Sequence, residues 1–202
     1  MNELRDLKIE GIGSCYGGEY NSVRLEGMST IKDNLKCNSF TSEGMCKCEG
    51  QIEALEMKTE GTYKGSGNIK AKKFKSEGFF KAQNSSINAD VIDVEGFINC
   101  SEISADLVNI EGVCHADKIF GERINLNSSV NVGIGFSFFF KPSNISKVNL
   151  IECTELKADA LTADIIRASK VELGKDCEVN IIEYSEAANI HPNAKIKKLI
   201  KI

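Results

Sequence analysis

The stretch IDVEGFINC (residues 92–100) contains the dipeptide on which the whole chain is organised. Glu-Gly recurs as Glu10-Gly11, Glu26-Gly27, Glu43-Gly44, Glu60-Gly61, Glu77-Gly78, Glu95-Gly96 and Glu111-Gly112, with glycine spacings of 16, 17, 17, 17, 18 and 16. Such a period is too short for helix-hairpin or ankyrin repeats. It suits one coil of a β-solenoid, with three short strands and three corners. Four residues before each glycine stand Leu7, Val23, Phe40, Met57, Phe74, Ile92 and Val108, all apolar. Two before it stand Ile9, Leu25, Ser42, Thr59, Ser76, Val94 and Ile110, and the residues between are polar. Alternation of this kind marks a strand with one buried face.

A second strand follows the glycine. Cys15, Ile31, Cys48, Gly65, Ala82, Cys100 and Ala116 form a mostly small column, next to the polar column Ser14, Thr30, Lys47, Lys64, Lys81, Asn99 and His115. A third strand reads as the pairs Leu35/Cys37, Ile52/Ala54, Ile69/Ala71, Ile87/Ala89, Ile103/Ala105 and Ile119/Gly121. One coil cannot bury its apolar face alone, so coils must stack. Parallel crossovers prefer the right hand. The expected fold is therefore all-β, a right-handed parallel β-helix (β-solenoid) with 16–18-residue coils.

The glycine is the corner, free to take positive φ. The glutamates before it would stack about 4.8 Å apart, and like charges so placed repel. Lys8, Arg24, Lys58 and Lys75, each two residues earlier, are the expected partners. Calcium sites need several oxygens converging in one loop, so a solvated corner is expected rather than a calcium-binding edge.

One domain spans residues 1–202, with regular coils over 7–135, an inserted Phe-rich loop over 136–147, and irregular C-terminal coils and tail over 148–202. The loop carries Phe136, Phe138, Phe139 and Phe140. It reads either as packing over the solenoid flank or as a contact for a membrane or protein partner.

Composition narrows the function classes. Hydrophobic residues make up 42% and charged residues 27%, enough for a core and without a membrane-length apolar run. A formal charge of −4 speaks against nucleic acid. The opening MNELRDLKIEG has no apolar signal region, so a cytoplasmic location with reduced thiols is expected, with a membrane surface open as a contact. Cys15, Cys48 and Cys100 share a column but are too many coils apart for a disulfide. Cys46 and Cys48 have no second Cys/His pair to complete a zinc site. His115 and His191 lie far apart and read as surface residues, and no phosphate loop, dinucleotide fingerprint or nucleophile elbow occurs. No catalytic, cofactor or metal site is expected.

Coils of apolar-x-x-Glu-Gly with a small residue four after the glycine, running from Leu7 to Gly121, resemble the bactofilins. Val171, Leu173, Gly174, Cys177, Val179, Glu183 and Tyr184 resemble the C-terminal segment of a bactofilin-like subgroup of Firmicutes. The resemblance implies a β-helical cytoskeletal protein that forms filaments through solenoid ends without nucleotide, the partner being the chain itself. Six residues precede Leu7 in this sequence, too few for a capping helix, so an open first coil with Leu4, Leu7 and Ile9 as the polymer interface is expected. Two rival readings are a monomeric binding module for a membrane or protein partner, and a β-helix acyltransferase or polysaccharide-active enzyme.

Overall fold

The computed structural model describes residues 4–128 and 145–202. Eleven strands follow one another: β1 (Leu7–Cys15), β2 (Gly18–Ile31), β3 (Leu35–Cys48), β4 (Ile52–Gly65), β5 (Ile69–Lys70), β6 (Lys73–Asn88), β7 (Val91–Asn127), β8 (Ser146–Ala158), β9 (Leu161–Leu173), β10 (Glu178–Ile190) and β11 (Lys195–Lys201). They form one continuous sheet in sequence order, every pairing parallel. The strands bend through corners, so the sheet winds as a β-solenoid of about eleven turns.

The apolar columns of the sequence are the core. Leu7 pairs with Val23, Val23 with Phe40, Phe40 with Met57, Met57 with Phe74 and Phe74 with Ile92. From Val23 to Val108 no member of this column is more than 1% exposed. Ile31, Cys48, Ala82, Cys100 and Ala116 are buried on the second strand, and Leu35, Ile52, Ile69, Ile87, Ile103 and Ile119 on the third. The interior is narrow, so bulk on one strand needs a small residue opposite or beside it. Tyr63 stacks on Phe80 at 4.4 Å, and Phe74 meets Phe80 edge-on at 5.0 Å. Gly65 leaves the Tyr63 ring its space: a Cβ there would lie 2.7 Å from the ring.

Corner glycines answer to two constraints at once. Gly61 has φ 96°, and a Cβ on it would stand 2.5 Å from the carbonyl oxygen of Gly44 in the coil before. Both the backbone turn and the coil spacing therefore exclude a side chain. Four glutamates of the column beside it meet the partners expected for them. Lys8 pairs with Glu10, Arg24 with Glu26, Lys58 with Glu60, and Lys75 with Glu77 at 2.8 Å. Arg24 also reaches Glu43 at 3.5 Å. The hydrogen bond from Lys75 holds the Glu77 carboxyl below its ordinary range.

Two polar ladders climb the outside. The Asn21 amide donates to Asp6 and that of Asn38 to Asn21, while Asn109 donates to Asp93 and Asn125 to Asn109. Each link closes one coil onto the next without a charge clash.

Beyond Gly112 the corner chemistry changes but the winding does not. Ala116 pairs with Val148, Ile119 with Ile151 and Ile124 with Leu156. The Cys114 N–H donates to the Ser146 hydroxyl at 3.0 Å. The register thus carries β7 directly onto β8, and β8 already begins at Ser146, inside the loop expected over 136–147. Coils then continue through β11, with links between neighbouring coils spanning 15, 16 and 17 residues. Ala160 and Asp176 take the positive φ, 46° and 58°, near these later corners.

Candidate interaction surfaces at the ends and along the flank

The two ends differ from the middle in how their core columns are covered. Leu7, Ile9 and Cys15 pack on the core yet remain half-buried, although their partners Val23, Leu25 and Ile31 are fully enclosed. Leu4 stands next to them, 47% exposed. At the other end Ile182 is enclosed, but Leu199, its partner in the same column, is 49% exposed. Ile200 and Ile202 are also exposed, and Ala188, Ile190 and Ile196 are half-buried. Among the described residues no strand pairs with the outer edge of β1 or β11. The interface expected at Leu4, Leu7 and Ile9 thus falls on one of two open faces, and the sequence reading did not single out the second. The KIKKLIK of β11 does not alternate, so no local pattern marked it.

Charge separates the faces. Lys195, Lys197, Lys198 and Lys201 surround the C-terminal one, and only Lys195 has a close carboxylate partner, Glu178, among the described residues. The N-terminal face carries Arg5, Asp6, Lys8 and Glu10, with the Arg5 guanidinium over the Tyr20 ring.

A flank column was also missed. The residue after the corner glycine lies on the outer face in the first six coils, where the register aligns Ile12, Met28, Met45, Thr62, Phe79 and Phe97. Phe79 and Phe97 stack at 4.8 Å, and His115 meets Phe97 edge-on. Apolar residues at six of seven such positions were readable from the same glycine count. The other partner contact expected on the side of the solenoid, at Phe136, Phe138, Phe139 and Phe140, lies outside the described residues.

The reactive residue types are placed as follows. All eight cysteines are unbridged thiols. Burial pushes Cys46, Cys100 and Cys153 up to about 12 and Cys37 to about 11. A thiol so poised is neutral and a poor nucleophile. His115 lies in the outward column but is half-buried, its Nε2 enclosed without a partner among the described residues, and desolvation lowers its pKa. It is thus less exposed than its sequence position suggested. His191 accepts a hydrogen bond from the Asn193 N–H through Nδ1 at 3.1 Å. Neither imidazole has a carboxylate orienting it among these contacts, the arrangement a general base needs.

Comparison with protein-family models, with curated proteins and with solved structures finds no match. What fold and surfaces define is a class: a parallel β-solenoid repeat protein with exposed core columns at both ends.

Proposed function

We propose that the chain is a self-assembling scaffold of bactofilin type, its copies joined end to end through the terminal coils without nucleotide. The observation that carries the reading is the pair of open faces. Leu7 and Ile9 at one end, and Leu199 and Ile190 at the other, lie in columns enclosed everywhere between. An end-on contact would continue the parallel ladder and complete those columns, so the surface buried is of the kind that already holds one coil on the next. The resemblance in the corner repeat and in the segment from Val171 to Tyr184 supports the same reading.

The test is analytical ultracentrifugation and negative-stain microscopy across protein concentration, with and without ATP or GTP. Filaments are expected in all nucleotide conditions. Leu7→Glu places a charge that must be desolvated in the joint, several kcal/mol per contact, and should leave a folded protein that does not polymerise. Circular dichroism checks the fold, because Leu7 also packs on Val23. A wild type that stays monomeric at high concentration, or a folded Leu7→Glu that polymerises normally, defeats the reading.

A further inference from the structure

We propose that the joint between copies is directional and in fixed register: β11 and the end of β10 in one copy seat on β1 and the start of β2 in the next, displacing Leu4 and Arg5. This rests on the end-to-end reading above and adds which faces meet, and how.

Each coil has three strand faces, and the register follows each of them to both ends. The first opens at Leu7 and is last occupied at Ala188, reached through Ile124, Leu156 and Val171. The ladder of Asp93, Asn109 and Asn125 carries this face through β7. The second face opens at Cys15 and closes at Ile196, and the third opens at Gly18 and closes at Leu199. Both ends are therefore broken at the same corner, between the third strand and the first. A second copy placed one coil step beyond the first continues all three faces at once, each strand parallel to the one beneath it.

Side-chain size matches across that joint. Leu7 would lie over Ala188, Cys15 over Ile196 and Gly18 over Leu199, a large residue against a small one on every face. The narrow interior asks for this. Ile9 over Ile190 repeats a contact already made within the chain, Ile9 on Leu25. Turning one copy over would reverse the strand direction, unlike any pairing inside the molecule, and would leave at most one face on its own kind. Joining two C-terminal faces would also bring Lys197, Lys198 and Lys201 against their own copies.

The overlap is confined to one place. The Asn21 N–H donates to the Arg5 carbonyl at 2.9 Å, and the Arg5 guanidinium lies over the Tyr20 ring. Lys201, which continues the column of Tyr184, would come to that same ring, and the main chain at Ile202 to that same N–H. Leu4 and Arg5 thus hold a place that the next copy takes. A hydrogen bond and a cation–ring contact are exchanged for their like.

The experiment mixes two full-length chains in a Cys15→Ser background, one carrying Lys8→Cys and labelled with heavy nitrogen, the other carrying Asn189→Cys. These outward positions fall in line across the joint, on strands about 4.8 Å apart and within disulfide reach. After mild oxidation of the assembled protein, mass spectrometry reads which chains are joined. Links between unlike chains should exceed links between like chains by roughly tenfold or more. Native Cys15 paired with Ile196→Cys in a Cys15→Ser partner tests the second face and should give the same answer. Filaments whose links join like chains would overturn the proposal and leave end-to-end assembly standing. So would filaments that give no link with either pair. A wild type that forms no filaments defeats both readings. Leu4→Glu reports the displacement: it should polymerise as wild type does, unlike Leu7→Glu. A Leu4→Glu chain with wild-type circular dichroism that stays monomeric would place Leu4 inside the joint and overturn the register.

Discussion

Replacing Gly61 with alanine separates the two constraints on a corner when it is compared with the same change at Gly11. Both glycines have positive φ, 96° and 81°. A Cβ at Gly11 would meet nothing within 4 Å, whereas one at Gly61 would lie 2.5 Å from the Gly44 carbonyl oxygen and 3.2 Å from its carbon. Holding an L-residue at positive φ costs about 1–2 kcal/mol, and Gly11→Ala should show only that. At Gly61 the coils must also part by several tenths of an ångström. That stretches the ladder at the corner and forfeits the net value of one or two hydrogen bonds, about 0.5–1.5 kcal/mol each. Gly61→Ala should therefore cost about 3–4 kcal/mol, roughly 2 more than Gly11→Ala. Urea denaturation of dilute protein, followed by far-ultraviolet circular dichroism, reads the difference as a midpoint shift with an unchanged slope. Equal costs at the two glycines would refute the claim that the carbonyl of the coil below, and not the dihedral alone, excludes a side chain.

Two further outcomes follow from the interior. The Tyr63 hydroxyl is buried without a hydrogen bond of ordinary geometry, with the Cys48 thiol among the groups that act on it; Tyr63→Phe should therefore keep the ring stack and leave stability unchanged or raise it by up to about 1 kcal/mol in the same urea assay. Cys37, Cys46, Cys100 and Cys153 have folded-state pKa values raised by burial to about 11 or 12, above an ordinary thiol. The folded state then binds more protons than the unfolded one in alkali, so stability is full below about pH 8.5 and falls as pH rises toward 12. Thermal melts across that range should show the decline, and a thiol reagent at pH 8 should find these four cysteines only after unfolding.

The coils from Leu7 to Gly121 were legible because corner and core leave separate marks in them. Glu-Gly fixes the phase, and an apolar residue four before it fixes the buried face. After Gly112 the phase mark is lost. Ala160 takes a positive φ of 46°, which an alanine does not announce, and the coil step falls to 15 residues between Glu152 and Arg167. The winding persists there because Ile151, Ile166 and Ile182 remain fully buried in one column. The open face at Leu7 was legible from its place before the first corner. That at Leu199 was not, since its exposure depends on which coil comes last, a property of stacking rather than of local pattern. The outward row at Ile12, Met28 and Met45 was countable but reads as strand propensity until the register shows which way the residues point.

The Tyr63–Phe80 stack over Gly65 has a consequence for how the chain finds its alignment. Seven near-identical corners make a molecule that could mis-thread by one whole turn and still bury most of its apolar groups. From β1 to β7 each contact between coils spans a similar short loop, so the closure entropy barely distinguishes the right threading from its neighbours. A coil slipped by one turn would set the Tyr63 ring, which Gly65 on its own strand accommodates, against Ile98 in place of Phe80, and would part Thr59 from its hydrogen-bonded partner Ser76. Among repeated parts, the irregular ones work as an index mark, and the least periodic coil decides where the periodic ones begin.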